Sequence, residues 1–171
     1  MNDNYQSDFK DTDAVRKYAS RYNIYSLLFA LGIFIIIVSI IPYLLINTTK
    51  LEDRILPSII IALVGLVIAI VSNIGKSKLK EKQINKYTVA AVEFIDFEHR
   101  SRKKIFRKDV VISILLIILV PFIYYLIHTQ ANLVPASSKK HFNSVLILIL
   151  AIAVFIILYS KGKKEAYSNL I

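Results

Sequence analysis

His99 stands in the densest group of ligand-type residues in the chain, with Glu93, Asp96 and Glu98 beside it in sequence. Imidazole and carboxylates hold metals or move protons only where the backbone makes them converge, as the two histidines of H-E-x-x-H do on one helix face. That spacing is absent, so these residues read as the solvated face of a helix. His128 and His141 bracket a second polar stretch with Ser137, Ser138, Lys139 and Lys140. Serine and histidine become a nucleophile and its base when a third group orients the histidine, and no carboxylate lies close by in sequence. There is no cysteine among the 171 residues, which excludes disulfides, thiolate metal sites and cysteine nucleophiles. A glycine-rich phosphate loop, G-x-S-x-G and a paired-carboxylate arrangement are also missing. No catalytic residue, metal or cofactor is expected from these patterns, and the reading is not an enzyme.

The elements that must position any function are apolar and long. Hydrophobic residues make up 56% of the chain, and they are gathered into blocks rather than spread over a globular pattern. Ile24–Ile46, Ile55–Ile74 and Val110–Ile127 carry no charge, and a fourth block runs from Val145 to Tyr159, reaching spanning length if it begins near Phe142. About 20 residues at about 1.5 Å rise cross a hydrocarbon core of about 30 Å. Inside lipid every backbone amide must bond within its own segment, so the blocks are expected to be helices despite their β-branched residues. The first block follows a mostly polar stretch of 23 residues and lacks a small-residue cleavage site, so it reads as a retained span and not a signal peptide. None of the blocks holds an interior Asp, Glu, Lys, Arg or His. Proton relays and many transport pathways place such residues at membrane depth, which argues against a proton-coupled carrier.

Charge sets the orientation. The formal net charge is +10. Eighteen of the 22 Lys/Arg lie in the N-terminal tail, the stretch from Lys76 to Lys108 and the C-terminal tail, against Lys50, Arg54, Lys139 and Lys140 in the two other connections. By the positive-inside rule both termini and the central connection are expected in the cytoplasm. The 30 isoleucines, with abundant Lys, Asn and Tyr, suggest an AT-rich, low-GC bacterium and hence a bacterial cell membrane.

The fold class expected is an all-α membrane protein of four transmembrane helices, arranged as two parallel-repeat hairpins with a helical cytoplasmic connection. Its divisions are a tail with a short amphipathic helix (1–23), hairpin 1 (24–74), the basic connection (75–109), hairpin 2 (110–160) and a cytoplasmic tail (161–171). The repeat rests on VSIIPYLLI around Pro42 against ILVPFIYYL around Pro121, and on SNIGKSK around Gly75 against YSKGKKE around Gly162. Both glycines sit where a C-terminal cap calls for a left-handed residue. With few small residues in the spans, Leu/Ile packing is expected to dominate over close GxxxG-type contacts.

In the connection, Tyr87, Ala90, Ala91, Phe94 and Phe97 form an apolar stripe, and Asp96–Arg100 and Glu98–Arg102 are acidic-then-basic pairs four apart. Ala14, Val15, Tyr18 and Tyr22 share a face before the first span. Tyr87, Ala91, Phe94 and Phe97 are the candidate docking face, for a partner, the lipid surface or the N-terminal helix. Arg100, Arg102, Lys103, Lys104, Arg107 and Lys108 are candidate anionic-lipid contacts as well as the positive-inside anchor. Nucleic acid is not expected as a partner, because no recognition fold accompanies the charge.

The basic flank, SIIPYLLI, the even-numbered span and the closing ILILAIAVFIILYSKGKKEAYSNLI make residues 16–171 resemble the multi-span membrane tail of helix-turn-helix regulators from low-GC Gram-positive bacteria. The resemblance implies a membrane module that senses or docks. It assigns no catalytic residue, and with the DNA-binding domain absent it carries over no DNA contact. The expected function is a non-enzymatic multi-pass interaction protein, of accessory, sensory or immunity type, with the anionic inner leaflet and a membrane or cytoplasmic protein as partners. The alternative is a small oligomeric transport component or channel.

Overall fold

The computed structural model describes residues 2–48, 50–81, 87–129, 135 and 138–171, with side chains from residue 10 onward. Ser137, Thr49 and residues 82–86 of the basic connection lie outside the described residues. The described chain is helical throughout its elements and contains no strand: α1 (Asn2–Val38), α2 (Ile40–Leu45), α3 (Leu51–Glu81), α4 (Val89–Thr129) and α5 (Lys139–Ser168). Four helical stretches are long and apolar enough to cross a membrane: α1 with α2, and α3, α4 and α5 each alone. The apolar blocks are only the middles of these helices. At about 1.5 Å per residue, the 41 residues of α4 extend about 62 Å, twice a hydrocarbon core.

The helix ends follow local chemistry. Glu52 and Asp53 open α3, and Lys78 and Lys80 close it, each favourable to the helix dipole. The Asp11 carboxylate of α1 accepts the Thr88 amide at 3.1 Å just before α4 begins, placing an anion at a helix N-terminus. The first apolar block is interrupted at Ser39. Pro42 has no amide hydrogen for the Val38 carbonyl and its ring crowds that carbonyl, while the Ser39 hydroxyl bonds Ile36 O at 2.6 Å. Pro121 lies within α4 without ending it.

Helix α1 packs on α3 and α4 on α5, and α1 also packs along α5. The backbone of α3 approaches neither α4 nor α5 closely. The neighbour order is therefore α3, α1, α5, α4, with α4 meeting α1 only over a limited stretch.

The contacts between apolar helices are made by small residues, contrary to the expectation from composition. A Cβ on Gly32 would stand 2.7 Å from Ala69 N and from Gly65 O, and one on Gly65 would stand 2.7 Å from Gly32 O. The backbones of α1 and α3 thus touch in the middle of both blocks, the close approach that small residues permit. Gly65, Ala69 and Ser72 are the buried residues of α3, and Ser26 and Ala30 of α1 and Ala151, Ala153, Ser160 and Gly162 of α5 are buried too. Large side chains such as Leu63, Val67, Leu115 and Phe122 point outward. Gly75 and Gly162 are likewise not caps: both lie inside helices, and no described glycine has positive φ. A Cβ on Gly75 would overlap the Tyr25 ring, and one on Gly162 would overlap Ser26. Each glycine is a contact point against α1.

Candidate interaction surface at the basic end

Beyond the apolar blocks, three segments distant in sequence form one body. Val15, Ala19 and Tyr22 of α1, Ile95 of α4, and Ala166, Tyr167 and Leu170 at the C-terminal end make a common buried cluster. Val15 and Ala166 are fully buried, and Ile95 and Tyr22 nearly so. Tyr18, Leu79, Tyr87 and Phe94 pack against it. The amphipathic face before the first span is thus largely as expected, though Ala14 is exposed and Ala19 takes its place.

The stripe of the connection is divided rather than uniform. Ala91 is fully buried. Tyr87 and Phe94 are half-buried, with the Arg16 guanidinium 5.2 Å from the Phe94 ring centroid. Phe97 is 70% exposed, and Ala90 also faces outward. Most of the expected docking face is therefore covered by the chain itself, and Phe97 alone of the four stays open. Ile95, Tyr167 and Leu170 were missed by the sequence reading. The signal for Ile95 was its place four residues after Ala91, and the one for the tail was the spacing of Ala166, Tyr167 and Leu170.

The basic candidates differ among themselves. Lys103, Lys104, Arg107 and Lys108 are exposed. Arg100 is exposed but bonds Asp96 at 2.6 Å, and Arg102 is half-buried and bonds Glu98 at 3.2 Å. These are the two expected i,i+4 pairs. His99 is not on a fully solvated face: it is half-buried, and its Nδ1 is enclosed without a hydrogen-bond partner. Among the described residues no three His, Asp or Glu side chains group as metal ligands. His128 stacks on Tyr124 at 4.1 Å between centroids, and His141 is exposed.

Electrostatics knit α1 and α5 at the basic end. The Tyr22 hydroxyl donates to Glu165 Oε2 at 3.2 Å, and Lys161 approaches the other oxygen of Glu165 at 3.7 Å. Burial pushes the Tyr22 phenol up to about 12; the Glu165 carboxylate adds to this and the Asn169 amide opposes it. Burial likewise raises Tyr18, Tyr87 and Tyr167 above the ordinary tyrosine value. Burial lowers Lys76, an effect partly offset by Glu165. Several lysines fold back over rings: Lys76 over Phe29 and Lys163 over Tyr159, both at 4.1 Å, and Lys164 over Phe106 at 4.7 Å. An ammonium over a ring face is held by the ring quadrupole, so Lys76 ties α3 to α1 and Lys164 ties α5 to α4, while Lys163 braces α5 itself.

This arrangement can bind and brace; its exposed groups include the Phe97 ring, a row of cations and the Glu93 carboxylate. No family model, curated protein or solved structure matches the chain.

Proposed function

We propose that the chain is a non-enzymatic multi-pass protein of a bacterial cell membrane, with its basic end in the cytoplasm, which presents a prefolded helical platform to a protein partner. The observation that carries this reading is the cluster joining Val15, Tyr22, Ile95, Tyr167 and Leu170, which packs α4 against α1 and the tail while Phe97 projects from it. Phe97 lies 13 residues before Val110, about 20 Å along the helix. That is too far for its ring to reach the hydrocarbon of the membrane that α4 enters, so a protein is favoured over a lipid surface as its occupant. Lys103, Lys104, Arg107 and Lys108 stand within about 10 Å of Val110 by the same measure and suit the anionic headgroups of the inner leaflet.

The side-by-side neighbour order also supports a repeat. In α3, α1, α5, α4 each hairpin has its second helix on the same side of its first, so a duplication of this kind would stack the hairpins instead of facing them across a dyad. The resemblance to regulator membrane tails fits a docking role of this type.

Separate Phe97→Ser and Phe94→Ser variants test the proposal. Phe97→Ser should leave the stability in mild detergent nearly unchanged, within about 0.5 kcal/mol, and abolish recovery of the partner that co-purifies with the unaltered chain. Phe94→Ser should instead lower stability by about 1–3 kcal/mol. Unchanged partner recovery with Phe97→Ser would overturn the docking reading, and a selective, saturable flux from the purified protein alone in reconstituted bilayers would replace it with the oligomeric transport reading.

A further inference from the structure

A second site lies on the opposite side of α1 from α5. Where α3 leaves its apolar block, Gly75 lets it close onto the Tyr25 ring, and just beyond this contact the two helices part around a groove of about 380 Å3. Arg21 and Lys78 stand on its walls, one from each helix, and Ile24, Tyr25 and Leu79 supply apolar surface. Both cations are exposed, and neither takes part in an ion pair among the described residues. The volume falls in the range of small-molecule sites, roughly 300–1,000 Å3.

Depth and charge together define the occupant. Ile24 opens the first apolar block and Ile74 closes the second, so the groove sits at the boundary between hydrocarbon and water. Its cations flank the apolar residues at that boundary, the layout of a molecule with one negative charge and an attached hydrocarbon chain. Basic pockets between transmembrane helices on the cytoplasmic side are suited to anionic lipid headgroups. Arg21 adds a planar fork of donors matched to phosphate oxygens. We infer that this groove between α1 and α3 binds the phosphodiester of an anionic phospholipid, with Arg21 and Lys78 on the phosphate and the lipid chain along Ile24. The site is distinct from the row of cations on α4, none of which lines it. The inference rests on the membrane reading of the basic end given above.

The test uses the full chain in mild detergent, with native mass spectrometry counting retained lipid after addition of phosphatidylglycerol or phosphatidylcholine. Phosphatidylglycerol should be retained selectively. Arg21→Gln/Lys78→Gln should weaken that retention about tenfold or more, the effect expected of two basic residues near an anionic headgroup. Lys10→Gln/Lys17→Gln, which removes the same charge from exposed positions of α1 outside the groove, should change it less than about twofold, and Arg21→Lys/Lys78→Arg should preserve it. Equal losses in the two glutamine pairs would show a diffuse field and overturn the site. Equal retention of the two lipids would do the same, as would displacement by inorganic phosphate at concentrations comparable to the lipid. Partition is measured first: a chain that remains in the aqueous fraction after cell lysis refutes the membrane reading, whereas one that partitions into membranes and shows no lipid preference refutes the groove alone.

Discussion

Tyr22 shows how much a single position does at the basic end. Its ring is buried among Val15, Ala19 and the C-terminal residues, and its hydroxyl reaches Glu165. Because burial raises its value from 10.0 to about 12, the folded chain holds the phenolic proton more tightly than the unfolded chain does. The resulting stability is fully present below pH 10 and is lost as pH rises from 10 through 12. Alkaline titration of the melting temperature should therefore fall across that window, and Tyr22→Phe should flatten the fall while costing about 1 kcal/mol at neutral pH for the lost hydrogen bond. A fall of unchanged steepness in the variant would assign the alkaline loss to other groups. At this scale the sequence was partly legible. Helical turn explains the failure at Phe97: at about 100° per residue it lies about 120° around the helix from Ala91, whereas Ile95 lies only about 40° away. Aromatic character drew the stripe toward Phe97, and angle puts the buried face on Ile95.

Among the elements, α4 carries Phe97 and, like α1 and α5, joins the apolar region to the platform without a break. The absence of Gly and Pro between Thr88 and Val120 made this continuity readable in advance. Arg107→Pro should test it. Proline there removes the bond to the Lys103 carbonyl and crowds the preceding turn, at a cost of about 3 kcal/mol or more. Cleavage by a protease of broad specificity within residues 89–106 should rise sharply, while partition into membranes stays the same because the apolar blocks are untouched; Arg107→Ala should resemble the unaltered chain. Equal protease resistance in the proline variant would mean that the platform is held by α1 and the tail alone. Helix packing was less legible. Counting few glycines suggested ordinary packing distances, but what matters is position: Gly65, Ala69 and Ser72 fall on one stripe, and Gly32 meets it. The lysines after Gly75 and Gly162 make both look like caps, whereas the helices run on through those lysines and the missing side chains admit Tyr25 and Ser26.

For the molecule as a whole, the number of apolar helices followed from the number of blocks, whereas their lengths exceed the blocks, and charge predicts the sides of the membrane. The chain has no cysteine, so single introduced cysteines report cleanly. Thr48→Cys and Ser138→Cys should react with an impermeant thiol reagent in intact cells, and Ser101→Cys and Ser168→Cys only after permeabilisation. The reverse pattern would invert the orientation and move the platform outside the cell. The neighbour order was not legible, because apolar faces of similar composition do not specify which helix meets which. Small residues settle it by allowing only certain faces to approach, and their partners lie up to 136 positions apart, as Ser26 and Gly162 do.

The contact of Gly32 with Gly65 gives the α1–α3 pair a fulcrum. Ser58, whose hydroxyl accepts the Tyr43 amide, lies seven residues from Gly65 on one side, and Lys78 lies 13 residues away on the other. As lever arms these are about 10 Å and about 20 Å. Any rocking of α3 about that point moves Lys78 roughly twice as far as Ser58 and in the opposite direction, so a small displacement at the Pro42 end is geared up where α3 faces Arg21.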